Sequence, residues 1–573
     1  MPVQNADIAD IFNQIADLLD IKDANAFRVR AYRNAARTIT DLPRPVREML
    51  AEDEKLEDLP GIGKDLAGKI KEIVETGHLR QLEELAQEVA PELSELMTIE
   101  GLGPKRVRAL HKALDITDLD DLRKAARKGD IKDVEGFGPK TEKKILEAVT
   151  SRRDEPRRLK WILAEQRAED MVAYLEKAPG IEHIEVAGSF RRRKETVGDL
   201  DILVICRKGP PVMEHFTDHE DVREVVSQGR TRSTVVLKSG LHVDVRVIPK
   251  VSYGAALHYF TGSKAHNVAI RKRAQGKKLK INEYGVFRGD DRIAGKDEQE
   301  VYRSVGLPYI PPELREDRGE IEAADDDALP ELIAPKDIHG DLHAHTKLTD
   351  GKNTLEEMAD AARQRGYAYL AVTEHSRRVT MAKGLGPKGL ARHIKRIDRL
   401  NKGYDDFRVL RGIEVDILKD GSLDLPDDIL SKLDVRICSV HYHQNLSRER
   451  QTERILKAMQ NPYCNIIGHP TGRLIGERPP YEVDMQKIMK AAREHGCFME
   501  LNAHPDRLDL NDRHCRMARD MGVKVVINTD AHSTTDLEFM RLGVAQARRG
   551  WLTREDVVNT RALDDVLKAM DRS

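Results

Sequence analysis

The C-terminal part of the chain repeats one pattern, in which a short apolar run ends in a potential metal ligand and is followed by a helical or loop stretch. Side chains that follow successive parallel strands gather at one end of the sheet, which is the layout of a β/α barrel. The pattern therefore predicts a barrel over residues 338–573 with a metal site at that end. The ligands that these runs supply are His343, His345, His375, Glu414, His441, His469, Asp530 and His532.

A single histidine after a strand is usually structural or exposed, but a set of this size, with an HxH pair, points to metal. Histidine and carboxylate ligands accept manganese, zinc or iron, so the pattern leaves the identity of the ions open. His443 is open between a ligand, a substrate contact and a surface residue. Arg473 and Arg507 follow two of the runs, and they either clamp a substrate phosphate or form salt bridges within the barrel.

A second group of functional residues lies in the stretch GSFRRRKETVGDLD, residues 188–201, between two apolar runs. On a strand, Asp199 and Asp201 project from the same face, and paired carboxylates suit Mg²⁺ or Mn²⁺. The turn at Gly188 and Ser189 offers N–H groups and a hydroxyl to an anion. Asp244 lies on the polar face of the predicted hairpin TRSTVVLKSGLHVDVRVIP and supplies a third carboxylate. Alone it would be an ordinary exposed aspartate, but with the pair it predicts two-metal nucleotidyl transfer.

The N-terminal 150 residues contain three copies of a pattern in which two glycines separated by one apolar residue precede an amphipathic helix. A single copy would fit an ordinary glycine-linked helix pair. Three copies resemble helix-hairpin-helix motifs, in which backbone amides at a helix N-terminus hold a DNA phosphate without reading sequence. The DNA-binding residues of the three copies are Gly61, Gly63 and Lys64, then Gly101, Gly103 and Lys105, then Gly136, Gly138 and Lys140.

The composition limits the class of protein. A chain of 573 residues holds several domains, and its net charge of -2 means that any nucleic-acid surface is a local patch. The five cysteines are scattered without a CxxC pair, which favours a reducing compartment. No signal peptide or membrane-length apolar run is visible, so we expect a cytoplasmic, nucleoid-associated monomer without membrane contact.

The stretches GSFRRRKETVGDLD, VDVRV, HYFTGSKAHNVAIR and INEYGVF resemble the family X DNA polymerases, polymerase beta among them. The resemblance implies that Asp199, Asp201 and Asp244 bind two Mg²⁺ or Mn²⁺ ions and that Asp244 takes the proton of the primer 3′-hydroxyl. The nucleotide-binding residues that it implies are Ser189, Arg192, Gly198, Tyr259, Phe260, Gly262, Lys264 and Asn267.

By the same resemblance, Tyr259, Phe260 and Gly262 form a sugar gate with a cis peptide, and Asn267 meets the minor-groove edge of the incoming base. Arg271 is implied at the template strand. The charged run 271–280 either follows template phosphates or is a solvated face. Lys264 departs from polymerase beta, which has an aspartate there. We hypothesise that this cation tightens nucleotide binding, even before metal or DNA arrives.

The segment LPGIGKDLAGKI also resembles the lyase domain of polymerase beta, and Lys69 falls on the Schiff-base lysine of that family. An amine nucleophile must be deprotonated, which requires burial or cationic neighbours. Asp65 stands where the family has a lysine that contacts DNA, a departure that bears against lyase activity. An ordinary solvated helix lysine is the alternative interpretation of Lys69.

The predicted barrel resembles the PHP family of phosphoesterases. The resemblance adds Asp350 to the eight ligands above, implies up to three ions of manganese, zinc or iron, and places Glu414 as a bridge between two of them. His345 and Glu414 are the catalytic residues that it implies. The TDH triplet of the family is TEH here, so Glu374 is expected behind the ligand His375 instead of on the metal.

Together these features resemble a bacterial family X DNA polymerase fused to a PHP domain, with a multidomain α+β and α/β fold. The predicted regions are a lyase-like helical domain (1–85), a fingers-like helical domain (86–155), a nucleotidyltransferase palm (156–255), a thumb (256–316), an acidic linker (317–337) and a PHP β/α barrel (338–573).

The activity implied by the resemblance is gap filling on gapped or nicked DNA with deoxynucleoside triphosphates, in base-excision repair. A PHP 3′-5′ exonuclease would accompany it, together with 3′-end cleaning or abasic-site cleavage. Two alternatives stay open. One is a DNA-end-binding scaffold with relic sites, and the other is a nucleotidyltransferase for RNA or a small molecule with a histidinol-phosphatase-like hydrolase.

Overall fold

The computed structural model describes residues 3–572 apart from 41, 43, 89–92, 98, 100–101 and 152–157. The chain divides into two compact units. The first comprises Met1–Arg157 with the short segments Glu220–Arg223 and Val236–His242, and the second comprises the rest of the chain. In the described ranges, no helix combines the length and the apolar character needed to cross a membrane.

The N-terminal part of the first unit is helical, as its apolar periodicity predicts. Ile8, Phe12 and Ile15 recur at helical spacing and are fully buried in a core below the first helices. Leu110 and Leu122 belong to a second apolar core. The helices are α1 (Asn5–Ile21), α2 (Ala26–Thr40), α3 (Val46–Ala51), α4 (Lys64–Thr76), α5 (Arg80–Glu88), α6 (Leu93–Leu96), α7 (Pro104–Leu114), α8 (Leu119–Lys128) and α9 (Pro139–Ser151).

The predicted palm is built on a five-stranded sheet with the strand order β2-β4-β7-β6-β5, beside which β1 pairs with β3. The predicted hairpin is present, and Gly240 at its turn has a φ of 84°, where a side chain would be strained. The elements are β1 (Leu159–Lys160), α10 (Trp161–Leu175), β2 (Ile181–Val186), α11 (Gly188–Arg191), β3 (Thr196–Val197), β4 (Asp199–Cys206), α12 (Gly209–Thr217), β5 (Val222–Gln228), β6 (Arg232–Leu237) and β7 (His242–Val247).

The predicted thumb has a small sheet with the order β10-β9-β8 and an apolar core around the buried Tyr302. Trp551, from the distant C-terminal region, is part of the same core. The elements are α13 (Tyr253–Thr261), α14 (Lys264–Gly276), β8 (Lys280–Asn282), β9 (Gly285–Arg288), β10 (Asp291–Ala294) and α15 (Glu298–Ser304).

The acidic segment 317–337, predicted as a linker, is folded against the thumb. It contains α16 (Glu320–Asp325), and Ile321 from this helix packs into the thumb core. The Glu320 carboxylate is fully buried, with Oε1 2.6 Å from Nδ1 of the buried His266. The acidic residues of this segment therefore include one buried and paired carboxylate, that of Glu320, as well as exposed charges.

The C-terminal region is a seven-stranded parallel β/α barrel, so the predicted fold is confirmed. Its strands follow one another from β11 to β17 in chain order, and the first and last meet where the His345 N–H donates to the Ala531 carbonyl at 2.8 Å. The strands are β11 (Gly340–Ala344), β12 (Tyr369–Val372), β13 (Arg408–Asp416), β14 (Val435–Ser439), β15 (Ile466–Ile467), β16 (Phe498–Asn502) and β17 (Val525–Asn528).

Helices surround this barrel and cover its apolar strands. The stretches TLEEMADAARQRG and DMQKIMKAAREHG, after β11 and after β15, are both helical. The helices are α17 (Leu355–Gln364), α18 (Pro387–Leu400), α19 (Asp427–Leu430), α20 (Arg448–Met459), α21 (Met485–His495), α22 (Asp512–Asp520), α23 (Met540–Arg549) and α24 (Leu563–Met570).

Candidate active sites

Strands β4 and β7 are neighbours in the palm sheet, and they bring Asp199, Asp201 and Asp244 together. Burial, together with the nearby carboxylates of Asp199 and Asp244, raises the pKa of Asp201 to about 7, although two neighbouring arginines oppose the change. A carboxylate in this environment gains most from a bound cation, which would remove the repulsion. The three residues therefore fit a divalent metal site with hard oxygen ligands.

Cations from the sheet orient Asp244. Arg232 Nη2 and Arg246 Nη2 each lie 3.0 Å from Asp244 Oδ2, and the Thr234 hydroxyl donates to Oδ1 at 3.1 Å. These contacts hold the Asp244 carboxylate in place on β7, with partners on β7 itself and on the neighbouring β6.

The turn that begins α11 is shaped around Asp201. Gly188 has a φ of 62°, and a Cβ at this position would lie 2.5 Å from Asp201 Oδ2, so only glycine fits. The next residue, Ser189, has a buried Oγ that lacks a hydrogen-bond partner within the described part of the chain. Gly198 closes the other end of the segment, where a Cβ would lie 2.8 Å from Arg158 Nη1. A buried hydroxyl such as that of Ser189 is satisfied by a ligand such as a phosphate.

Two of the three arginines of this segment, Arg191 and Arg192, are held by glutamates from the thumb end. Arg191 forms a bidentate pair with Glu298, with Nη2–Oε2 at 2.7 Å and Nη1–Oε1 at 3.0 Å. Arg192 Nε donates to Glu316 Oε1 at 3.1 Å, and its Nη1 donates to the Thr261 carbonyl.

The remaining predicted nucleotide-binding residues lie on α13 and α14. A cis peptide joins Gly262 to Ser263. Asn267 Nδ2 donates to the Tyr259 carbonyl at 2.6 Å, while its buried Oδ1 has no hydrogen-bond partner in the described ranges. The Phe260 ring lies under the guanidinium of an arginine from β7, at 4.4 Å. Lys264 is exposed at the first turn of α14.

The charged run 271–280 is partly used within the thumb. Arg273 pairs with Asp325 at 2.6 Å, and Arg271 Nε donates to a carbonyl of its own helix at 3.3 Å. Lys272, Lys277 and Lys278 are exposed and available to an anionic partner.

The helix-hairpin-helix turns of the first unit present open backbone. Gly63 and Gly103 are the N-caps of α4 and α7, and Gly138 immediately precedes α9. A Cβ at any of these three positions would meet no heavy atom within 4 Å. Gly61 and Gly136 have φ values of 67° and 86°.

The lysines that follow, Lys64, Lys105 and Lys140, are exposed. Gly101, predicted in the second turn, lies outside the described residues. Open amides at a helix start with a lysine beside them suit a phosphate.

Lys69 is half-buried on α4 beside the Tyr32 ring, and its Nζ pairs with Asp65. Burial lowers the pKa of this amine, but hydrogen bonds to Asp65 and Tyr32 outweigh that effect and leave the pKa above its ordinary value. The charged ammonium form is therefore favoured, which is the reverse of what an amine nucleophile needs.

In the barrel, the predicted ligands converge on Glu414. His375 Nδ1 lies 2.7 Å from Glu414 Oε2, and His469 Nε2 lies 3.0 Å from its Oε1. The groups whose ligand atoms lie within 4.8 Å of one another are His345, Asp350, His375 and His532; His343, His345 and Asp530; and His375, Glu414 and His441.

The electrostatics of the barrel site match metal ligands. Buried ring nitrogens of His343 and His345 have no hydrogen-bond partner within the described chain. Burial and the neighbouring imidazoles lower the pKa of His345 to about 4, so its ring is neutral and able to donate a lone pair to a metal. Although burial would raise the pKa of Glu414, the surrounding histidines hold it well below its ordinary value. The donor set fits divalent metal ions, which these histidines and carboxylates would hold.

Two buried carboxylates that the sequence analysis missed orient these ligands. Glu500 Oε1 lies 2.7 Å from His343 Nδ1, and Asp416 Oδ1 lies 3.3 Å from His441 Nδ1. The signal was present, because Glu500 interrupts an apolar strand and Asp416 ends another. A carboxylate behind a metal-binding imidazole fixes the orientation of its ring.

Glu374 lies behind the metal-ligand groups. The hydroxyls of Thr346 and Thr349 donate to its carboxylate, and the Thr346 N–H donates to Oε2 at 3.3 Å. It is absent from the ligand groups found among the described residues, while the adjacent His375 belongs to two of them.

The remaining polar residues of the barrel loops make other contacts. Arg507 Nε lies 3.9 Å from Asp530 Oδ2, a salt bridge within the barrel. Arg473 instead forms a bidentate pair with Glu195 of the palm, with Nη2–Oε2 at 2.7 Å. His443 Nε2 lies 3.3 Å from Arg378 Nη2.

Comparison with known families places four matches along the chain. Residues 3–79 match a helix-hairpin-helix domain, and residues 93–150 match a SAM-like helix-hairpin-helix tandem. Residues 256–316 match the DNA polymerase beta thumb, and residues 341–504 match the PHP domain.

The chain is 37% identical over 571 residues to the DNA polymerase/3′-5′ exonuclease PolX of Bacillus subtilis, and the similarity covers 99% of both proteins. A probable phosphatase of Thermoanaerobacter is 32% identical over 232 residues, which are 38% of this chain and 89% of that protein. A probable phosphatase of Clostridium acetobutylicum is 33% identical over 206 residues, or 34% of this chain and 78% of that protein.

Proposed function

Since the chain belongs to the PolX family of DNA polymerases and 3′-5′ exonucleases, we propose that it fills short DNA gaps in base-excision repair and trims 3′ ends before filling. The observation that carries this proposal is the presence, in one chain, of the three palm carboxylates and of the barrel ligands around Glu414.

In the polymerase site, Asp199, Asp201 and Asp244 would hold two Mg²⁺ or Mn²⁺ ions. When bound, such ions lower the pKa of a primer hydroxyl and neutralise the charge of the triphosphate. Asp244, oriented by its arginine partners, accepts the proton of the 3′-hydroxyl. The Ser189 hydroxyl, which has no hydrogen-bond partner among the described residues, and the Arg192 guanidinium bind the triphosphate, and Gly198 lets it approach the backbone.

The deoxynucleotide is selected on α13 and α14. Tyr259, Phe260 and Gly262 exclude a ribose hydroxyl, and Asn267 Oδ1, which accepts no hydrogen bond from the part of the chain that the structure describes, faces the base. Lys264 adds a cation that binds the nucleotide before metal or DNA. In the same proposal, Arg271 and the exposed lysines after it contact the template strand.

The helix-hairpin-helix turns hold phosphates on the DNA backbone. Their open amides and exposed lysines support this role, and neither group reads a base edge. We propose gapped or nicked DNA as the substrate and the monomer as the active form. The proposed domain limits are those given by the sequence pattern, with the thumb at 256–316.

In the barrel, His343, His345, Asp350, His375, Glu414, His441, His469, Asp530 and His532 would hold up to three ions of manganese, zinc or iron. When bound, such ions polarise a phosphodiester and activate water. Glu500 and Asp416 keep the imidazoles that they contact in the orientation that a ligand needs. We propose removal of 3′-terminal nucleotides as the main reaction, with blocked 3′ ends and abasic sites as further substrates.

The test uses a labelled duplex with a one-nucleotide gap, incubated with the pure protein and Mn²⁺, with and without deoxynucleotides, and resolved on a sequencing gel. Asp201→Ala should abolish gap filling and retain 3′ shortening, and His345→Ala should do the reverse. The exposed residues Asp290 and His78 provide Asp290→Ala and His78→Ala as control substitutions of the same kind. A wild-type protein that binds this DNA and yields neither product would refute the proposal.

A further inference from the structure

Within the second unit, the barrel contacts the palm and the end of the thumb through arginine–carboxylate pairs. Four arginines of the barrel each meet a glutamate of the polymerase region. The pairs are Arg473–Glu195 at 2.7 Å, Arg541–Glu165 at 2.8 Å, Arg548–Glu313 at 2.7 Å and Arg549–Glu316 at 3.1 Å.

Arg549, the last residue of α23, differs from the other three because it reaches the backbone of the nucleotide-binding segment. Its side chain is only 2% exposed. Nη1 donates to the Arg192 carbonyl at 2.7 Å and to Glu316 Oε1 at 3.1 Å, and Nη2 donates to Asp512 Oδ2 at 2.8 Å. A buried guanidinium with charged acceptors on both sides is strongly fixed in position.

The same oxygen of Glu316 also binds the side chain of Arg192, through Nε at 3.1 Å. Burial lowers the pKa of the Arg192 guanidinium, and the Glu316 carboxylate opposes that change. Arg192 Nη1 donates to the Thr261 carbonyl. In the described part of the chain, Nη2 has no hydrogen bond and is the donor left for a phosphate.

The shared oxygen determines how Glu316 can act on Arg192. A carboxylate free to turn would engage a guanidinium through two parallel hydrogen bonds, and such a pair competes with a phosphate for the same donors. Arg549 donates a hydrogen bond to the same Glu316 Oε1, and it also donates to the Arg192 carbonyl, which fixes the backbone at that residue. Removing Arg549 would release Glu316 onto Arg192 and loosen the segment that carries Ser189.

We propose that Arg549, a residue of the PHP barrel, is a positioning residue for triphosphate binding in the polymerase site. The proposal rests on the role of Arg192 in the proposed function. Arg549 touches neither substrate nor metal, and acts through the Arg192 carbonyl and the Glu316 carboxylate.

The test compares two arginines of the same interface in the full-length protein. Arg549→Gln removes the contacts to Arg192 and Glu316, whereas Arg541→Gln breaks the bidentate pair with Glu165 and leaves the Arg192 contacts in place. Steady-state gap filling with a one-nucleotide gap gives kcat and KM for the nucleotide. Removal of 3′ nucleotides from single-stranded DNA and the thermal unfolding midpoint are measured on the same samples.

We expect Arg549→Gln to raise KM for the nucleotide about tenfold, with kcat and 3′ trimming close to the wild type. Arg541→Gln should leave KM unchanged even if both variants lower the unfolding midpoint. Equal changes in KM for the two variants, or no change in KM for Arg549→Gln, would overturn the proposal.

A second variant covers the case in which Arg549→Gln does not fold. Asp512→Asn weakens the hold on Arg549 without altering any atom of Arg192 or Glu316, and it should raise KM for the nucleotide in the same direction. An unchanged KM in Asp512→Asn would then count against the proposal. If the wild type fills no gap, the proposed function fails, whereas wild-type activity with unchanged variants rejects only the role of Arg549.

Discussion

Replacing Glu298 should destabilise the polymerase core more than any surface ion pair. This carboxylate at the start of α15 is nearly buried and binds two arginines. Oε1 accepts from Arg315 Nη1 at 2.5 Å and from Arg191 Nη1 at 3.0 Å, and Oε2 accepts from Arg191 Nη2 at 2.7 Å. Glu298→Gln keeps the volume but leaves both guanidiniums without their charge partner, and the Arg315 side chain is fully buried.

The size of the effect follows from the pKa of the carboxyl group. Burial alone would raise the pKa of Glu298, but Arg315 and Arg191 lower it from 4.5 to about 2. That difference corresponds to about 3 kcal/mol in the free energy of unfolding. Removing one partner of a buried ion pair costs a similar amount, roughly 3–5 kcal/mol. Because the folded-state pKa is depressed, this stabilisation is complete above pH 4.5 and is lost as the pH falls toward 2.

Urea unfolding followed by tryptophan fluorescence measures this loss, because Trp161 and Trp551, the two tryptophans of the chain, are both buried in the second unit. The control is Glu356→Gln, which breaks a pair with Arg396 in which both side chains are 46% exposed. We expect that control to cost under about 1 kcal/mol.

The cost of Glu298→Gln should be constant between pH 6 and 8 and should shrink below pH 4.5. Equal costs for the buried and the exposed glutamate at neutral pH, or a cost that grows on acidification, would refute the reasoning.

Three further changes test the sites themselves. Glu500→Gln should lower the metal content, measured by mass spectrometry, and should lower the rate of 3′ trimming about 10- to 100-fold, because His343 loses its orienting partner. Gap filling should stay unchanged, and an equal loss of both activities would contradict this prediction. Gly188→Ala should lower gap filling about 100-fold by displacing the carboxylate behind it, and a fully active variant would show that the close approach is not required. Asp65→Ala should increase borohydride trapping on abasic DNA by lowering the pKa of Lys69, and unchanged trapping would show that Asp65 does not restrain this amine.

The ligands of the barrel could be predicted because each stands at the end of an apolar run. Strand periodicity and parallel topology then bring residues as distant as His343 and Asp530 to one place, where both join the same ligand group. The palm carboxylates were predictable for a similar reason, since alternation along one strand puts Asp199 and Asp201 on the same face.

Contacts that depend on tertiary packing could not be predicted in this way. Arg549 and Arg192 are 357 positions apart, and no local pattern links them. Glu500 sits inside an apolar strand, where its charge shows that something is paired with it but not that the partner is His343. The acidic composition of 317–337 predicted a linker, because composition counts charges without revealing that Glu320 is buried against a histidine.

The position of Trp551 determines how the molecule can be divided. Trp551 follows α23 in the barrel region, yet its indole packs in the thumb core. The N–H of Ile333 also donates to the carbonyl of the neighbouring Leu552 at 3.0 Å. A polymerase fragment cut after residue 337 would therefore contain a cavity the size of an indole, and the complementary fragment would expose that indole to water. Removing a buried aromatic side chain costs about 3–5 kcal/mol, so neither fragment is a faithful stand-in for its half of the intact enzyme. Proteolysis and domain-transplant experiments on this chain should treat palm, thumb and barrel as one folding unit.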